Sequence, residues 1–235
     1  MIDKQELMEQ IRGNIIVSCQ ALKDEPLHGS EIMAKMAIAA EQGGACAIRA
    51  NSKEDILAIK LVTKLPVIGI VKRDYPDSDV FITPTLKEVK ELLDAKTDVV
   101  TIDATSRKRP GNLSLEEIVN YIRSQSSAMI MADVSTFEEG VMAIELGVDL
   151  ISTTLSGYTA YSPQLQEPDF QLIERLSILN KIPIIAEGRI STPSEAKKAL
   201  ECGAFSVVVG SAITRPQLIT KRFVEEVTYL NRNIT

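Results

Sequence analysis

Short runs rich in Val, Ile and Ala recur along the chain, each followed by a stretch in which apolar residues return every three or four positions. The runs are NIIVSC (14–19), ACAIRA (45–50), PVIGIVK (66–72), DVVTIDA (98–104), AMIMADV (128–134), DLISTT (149–154), PIIAEG (183–188) and SVVVGS (206–211). Most are nearly continuous rather than alternating, as parallel strands covered on both faces require. Ser114 with Glu117 predicts a capping box ahead of Leu115, Ile118, Val119 and Ile122, and Ser135 with Glu138 predicts another before Phe137, Val141 and Ile144. Thr192-Pro193-Ser194-Glu195 adds proline at the first helical position, where a missing N–H costs nothing. Gly43, Gly147 and Gly203 each stand between a helical pattern and the next strand, and are predicted to take the left-handed helix-terminating position. Successive runs start 21 to 34 residues apart, enough for one crossover helix each time. Eight such units predict an α/β fold, a single (β/α)₈ TIM barrel spanning residues 1–235 as one domain. The alternative, an open doubly wound sheet, would normally carry a glycine-rich dinucleotide turn, and neither GxGxxG nor GxxxxGK occurs.

Composition narrows the partners. The 235 residues hold 26 basic and 32 acidic side chains, a formal charge of −6, which argues against a nucleic-acid binder. No apolar stretch approaches the ~18 residues of a membrane span. Charges at Asp3, Lys4, Glu6, Glu9 and Arg12 interrupt any signal-peptide core, so a cytoplasmic protein is expected. Cys19, Cys46 and Cys202 are odd in number and widely spaced, so no disulfide framework is predicted, and Cys19 is expected to line any cavity at the end of the first strand. The triplets Asn112-Leu113-Ser114 and Asn233-Ile234-Thr235 then match the glycosylation pattern by chance. His28 is the single histidine, which rules out a site built on two imidazoles, and it is expected to be a loop residue; no metal is predicted. GxSxG is absent, and aromatic residues at 4% without tryptophan make a poor stacking platform.

In a barrel, polar side chains at the C-terminal strand ends point into the mouth. Here nearly every run ends with one: Gln20, Arg49, Lys72, Asp103, Asp133, Thr153 or Thr154, Glu187 and Ser211. Lys72 closes an apolar run and Arg73 follows it, so burial and adjacent positive charge are expected to lower its pKa towards that of a general base. Glu187 is the candidate to orient Lys72, bind a substrate hydroxyl or act as the second acid/base. Gly188 and Arg189 after the seventh run, with Gly210 and Ser211 after the eighth, occupy the place where barrels bind phosphate, and Arg215 is near in sequence. The long connections 73–84, 105–113 and 155–167 are candidates for a wall or lid on that face.

The strings IVSCQAL, EPLH, KRDYPDSDVFITPT, MADVST, TTLSGYT, IAEGRI and GSAITRPQLITKRFV, in this order, resemble the bacterial N-acetylmannosamine-6-phosphate 2-epimerases from about Ile15 to Val224. The sequence departs from that pattern at Ser211, where a second glycine is common, and near Ser52-Lys53, where a glycine-valine pair is common; both positions should tolerate the change. The resemblance implies inversion at C2 of an N-acetylamino sugar phosphate in sialic acid catabolism, by a cytoplasmic homodimer using neither metal nor nicotinamide. It further implies Lys72 and Glu187 as catalytic residues, Gln20, Arg49, Asp133 and Arg215 as substrate-binding, and Gly188, Arg189, Gly210 and Ser211 as phosphate-binding. Three competing readings are a Schiff-base aldolase using Lys72 as nucleophile, a phosphate-barrel isomerase of another pathway and a non-catalytic phosphosugar sensor; borohydride trapping would mark the first and ligand-induced stabilisation without turnover the last.

Overall fold

The computed structural model describes residues 2–233, so Ile234 and Thr235 of the second glycosylation triplet lie outside the described residues. Eight parallel strands close into a barrel in sequential order: β1 (Ile15–Cys19), β2 (Ala47–Asn51), β3 (Val67–Ile70), β4 (Val99–Asp103), β5 (Met129–Asp133), β6 (Leu150–Ser152), β7 (Ile184–Ala186) and β8 (Ser206–Val209). Closure is made by β1 against β8, with Ile16 opposite Val208. Seven crossover helices follow the first seven strands: α2 (Ser30–Gln42), α3 (Lys53–Val62), α4 (Leu86–Asp94), α5 (Leu115–Gln125), α6 (Phe137–Glu145), α7 (Phe170–Ile178) and α8 (Pro193–Glu201). α1 (Lys4–Ile11) precedes the barrel, and the short α9 (Ser211–Thr214) and the longer α10 (Pro216–Asn233) follow it.

The two-residue period of a strand divides its side chains into two sets. Val17, Ile48, Val100, Ile130 and Ile151 point outward and pack beneath the helices with Met33, Ile56, Leu92, Ile122 and Leu176. Ile16, Ala47, Ile68, Val99, Met129, Met131, Leu150, Ile185 and Val208 point inward, with Leu7 and Ile11 of α1 in the same cluster. Continuing the inward parity towards the strand C-termini reaches Ser18, Arg49, Ile70, Lys72, Asp133, Thr154, Glu187 and Gly210, so the barrel interior changes from apolar to ionisable at one end.

Local signals differ from expectation in two places. Ser114–Glu117 forms the predicted capping box, and Thr192–Glu195 adds one at the predicted start of α8, but the one before α6 is made by Thr136 and Glu139, one residue later than Ser135–Glu138. Two consecutive hydroxyl residues precede two consecutive glutamates there, so the pattern fits either register. Gly147 and Gly203 have φ of 78° and 96°, whereas Gly43 has φ of −78° and it is Gly44, at 93°, that takes the left-handed turn into β2.

Candidate active site

At the C-terminal mouth lies a cavity of about 540 Å³, lined by Ser18, Gln20, Arg49, Lys72, Thr154, Glu187, Gly188, Arg189, Gly210, Ser211 and Arg215 among others. Ile70, Phe81, Ile82 and Leu155 supply an apolar wall and belong to one small cluster.

Arg49 is the largest of the fully buried side chains, 1% exposed, and only a carboxylate partner makes such burial tolerable. Its Nη2 donates to Asp133 Oδ2 and its Nη1 to Glu187 Oε2, with a further bond of 3.2 Å to Thr154 Oγ1. Thr154 Oγ1 in turn lies 2.8 Å from Asp133 Oδ1 and 3.1 Å from Glu187 Oε2. Strands β2, β5 and β7 are thereby locked around one guanidinium. Burial pushes the Asp133 and Glu187 carboxyls above the usual carboxylate range, and the Arg49 charge opposes it for both. Burial works against the charge of Arg49 as well, but the two carboxylates outweigh it and its pKa is raised.

Lys72 stands just beyond β3, where the chain arches back antiparallel so that Lys72 bridges Ile82. Its N–H donates to Asn51 Oδ1 at 2.8 Å, and Arg73 N–H donates to Phe81 O at 2.9 Å. The backbone of the lysine is fixed while its amine faces the cavity; among the described residues it enters no ion pair within 4.0 Å. Burial first, then the Arg49 and Arg215 charges, push its pKa down to about 8, with Glu187 and Asp133 opposing. Arg73 is not the cause: its guanidinium turns away to Glu88 and Glu91 on α4.

The structure gathers the expected site residues with two differences of placement. Asp133 is fully buried and stands behind Arg49, off the cavity wall, so it reaches the cavity only through that guanidinium. Arg189 lines the cavity, but its guanidinium donates to the Ser156 and Gly157 carbonyls at 2.6 and 2.9 Å and stacks on Tyr158, fastening the β6–α7 connection. Gln20 Nε2 donates to Ser18 Oγ at 2.8 Å, leaving Gln20 Oε1 and Arg49 Nε as buried atoms without a protein partner. Thr101 Oγ1 and the two Arg109 Nη atoms share this state, but only Gln20 and Arg49 belong to the cavity wall.

Of the three long connections, 73–84 contributes Phe81 and Ile82 and 155–167 contributes Leu155 and Tyr158, but 105–113 contributes nothing to the wall; Arg107 there binds Asp103 and Asp79 O instead. Cys19 does not line the cavity either: it points outward, fully buried, with its thiol pushed up to about 12 by burial, and Ser18 takes the inward place. His28 is an exposed loop residue near Ala21 O. α10, whose Leu218, Lys221, Arg222 and Glu225 form part of the cavity rim, was not foreseen, because no motif announces a helix beyond the eighth unit that folds beside the mouth. Among the described residues no group of three or more His, Cys, Asp or Glu could hold a metal ion. No helix of the described residues is long and apolar enough to cross a membrane.

A closed eight-stranded barrel with an amine of lowered pKa, a buried carboxylate–guanidinium cluster and glycine turns after β7 and β8 defines a barrel enzyme equipped for proton transfer. Comparison with known proteins makes this more specific. Residues 33–229 match the family described as "Putative N-acetylmannosamine-6-phosphate epimerase" (NanE). A Clostridium perfringens protein named "Putative N-acetylmannosamine-6-phosphate 2-epimerase" is 58% identical over 219 residues, covering 93% of this chain and 99% of that protein. A Clostridioides difficile protein of the same name is 54% identical over 221 residues, 94% and 99% of the two chains. The solved structure of the N-acetylmannosamine-6-phosphate 2-epimerase from Clostridium perfringens superposes with a TM-score of 0.93 at 56% identity, covering 96% of this chain and 98% of that one. A thiamine phosphate pyrophosphorylase from Pyrococcus furiosus, at 19% identity and a TM-score of 0.60, shares the fold alone. The chain belongs to the NanE family of N-acetylmannosamine-6-phosphate epimerases.

Proposed function

We propose that this chain interconverts N-acetyl-D-mannosamine 6-phosphate and N-acetyl-D-glucosamine 6-phosphate by removing and returning the proton at C2. The observation that carries this reading is the presence, in one cavity, of the Lys72 amine, the Glu187 carboxyl and the glycine turns after β7 and β8. In the open-chain sugar, Lys72 takes the C2 proton and the C–H electron pair moves onto the C1 carbonyl oxygen, giving an enolate. Return of a proton on the other face re-forms the carbonyl with C2 inverted. Glu187 is the partner acid or orienting carboxylate. Arg49, held by Asp133, and Gln20, with its free Oε1, hold the sugar and its developing charge, with Arg215 beside them. The backbone at Gly188, Arg189, Gly210 and Ser211 cradles the phosphate, and Gly188, at φ 107°, has a conformation that side-chain-bearing residues rarely adopt. No electron leaves the substrate, so the reaction balances without metal or nicotinamide.

Residues 1–235 act as one domain, and the protein works in the cytoplasm, a placement that its free cysteines support. The working unit is a homodimer, a reading supported by the exposed apolar side chains of Phe223, Val224 and Val227 on α10. A proton NMR time course with N-acetylmannosamine 6-phosphate in heavy water tests the activity. The expected result is appearance of the C2 epimer carrying deuterium at C2; an unchanged substrate, or an epimer retaining the original proton, would contradict it.

A further inference from the structure

Glu25 lies in the connection between β1 and α2, off the cavity wall, yet its carboxylate grips Arg215, which is on that wall. Arg215 Nε lies 2.9 Å from Glu25 Oε1, and Nη2 donates to Oε2 at 3.0 Å. This side-on fork occupies one edge of the guanidinium and leaves the Nη1 edge for the cavity. The same carboxylate accepts the Leu22 N–H at 2.7 Å and Gln217 Nε2 at 3.4 Å. A single carboxylate therefore ties together the loop after β1, the α9–α10 junction and the first turn of α10. The two side chains are only 24% and 17% exposed, unlike the exposed ion pairs that contribute nothing measurable.

We propose that Glu25 is a positioning residue, holding Arg215 with one guanidinium edge turned to the substrate and anchoring the β1–α2 loop to the rim of the mouth. The proposal rests on the assignment of Arg215 to the substrate. Arginine carries much rotamer freedom, and without a fixed carboxylate the guanidinium must be ordered again at every binding event. An interaction equally strong in ground and transition states lowers KM and leaves kcat alone. Loss of Glu25 should therefore appear in KM.

The test is a double-mutant cycle on the intact protein: Glu25→Ala, Glu25→Gln, Arg215→Ala and the double variant Glu25→Ala/Arg215→Ala, each assayed for kcat and KM with the phosphosugar. Glu25→Ala is expected to raise KM by about tenfold with kcat within about threefold, as for loss of uniform binding. Glu25→Gln, which keeps one acceptor and a similar shape, should fall between it and the wild type, and it remains informative if the alanine variant folds poorly. The double variant should bind no worse than Arg215→Ala alone, because the two residues act as one unit. Unchanged KM in both Glu25 variants, with Arg215→Ala impaired, would overturn the role of Glu25. Unchanged KM in Arg215→Ala would remove the assignment beneath it.

Discussion

At Lys72, burial and two neighbouring guanidinium groups act in the same direction, and the result is an amine that loses its proton near pH 8 rather than at its ordinary 10.5. In the proposed mechanism the neutral form is the base, so kcat/KM should rise with pH through a midpoint near 8 and level off above it; a flat profile from pH 6 to 9 would exclude this lysine as the base. Stability has its own sign. The folded state binds this proton less tightly than the unfolded chain, so the lysine destabilises the fold fully below about 8, and the penalty fades as pH rises towards 10.5. The lysine itself was legible in the sequence because a lone amine closes an apolar run, but its neighbours were not: Arg73 is adjacent in sequence and turned away, whereas Arg49 and Arg215 come from distant elements. Cys19 and Ser18 make the same point. Both end one run, and only the barrel's inward parity decides that the serine faces the cavity and the thiol the helices.

Glu139 shows what an element contributes beyond its own helix. As the third residue of α6 it completes the capping box with Thr136, and its buried carboxylate also accepts from Ser106 N–H, Ser135 N–H and the Tyr161 hydroxyl at 2.7, 2.7 and 2.6 Å. Three connections on the mouth face, those after β4, β5 and β6, converge on one side chain. Glu139→Ala should therefore cost about 2–4 kcal/mol, well above the ~1 kcal/mol of a lost cap, because several buried donors lose their acceptor together. Chemical denaturation measures this directly, and a loss below ~1 kcal/mol would reduce Glu139 to a cap. The sequence signalled this helix start but misplaced it by one residue, since local pattern does not reveal that Ser135 also turns its hydroxyl towards Glu139, at 2.7 Å. It predicted a barrel-mouth role for 105–113 from length alone, whereas Arg107 draws that loop down onto Asp103 and away from the cavity.

For the whole molecule, eightfold alternation of strand and helix was readable from end to end, because continuous apolar runs and helix caps are local features. The fold of the chain beyond the eighth unit was not, since α10 packs chiefly on α9 and leaves Phe223, Val224 and Val227 at 72%, 57% and 58% exposure. If a second copy covers this face, the 25.8 kDa chain should sediment as a dimer, and Val224→Glu with Val227→Glu should return it to monomers; a wild-type monomer at micromolar concentration would refute the dimer. Charge is also distributed at this scale. Six basic side chains, at Arg49, Lys72, Arg189, Arg215, Lys221 and Arg222, and only two acidic ones, Glu187 and Glu225, line the cavity of a chain with a net charge of −6. Such a mouth draws a phosphorylated sugar by matching its charge. The central claim, that the Lys72 amine takes the C2 proton, is tested most directly by exchange of that proton with heavy-water solvent in Lys72→Met. The variant, folded and still binding the phosphosugar, should exchange no deuterium into C2, while wild-type exchange keeps pace with epimerisation. Deuterium entering C2 at the wild-type rate without this amine would contradict it.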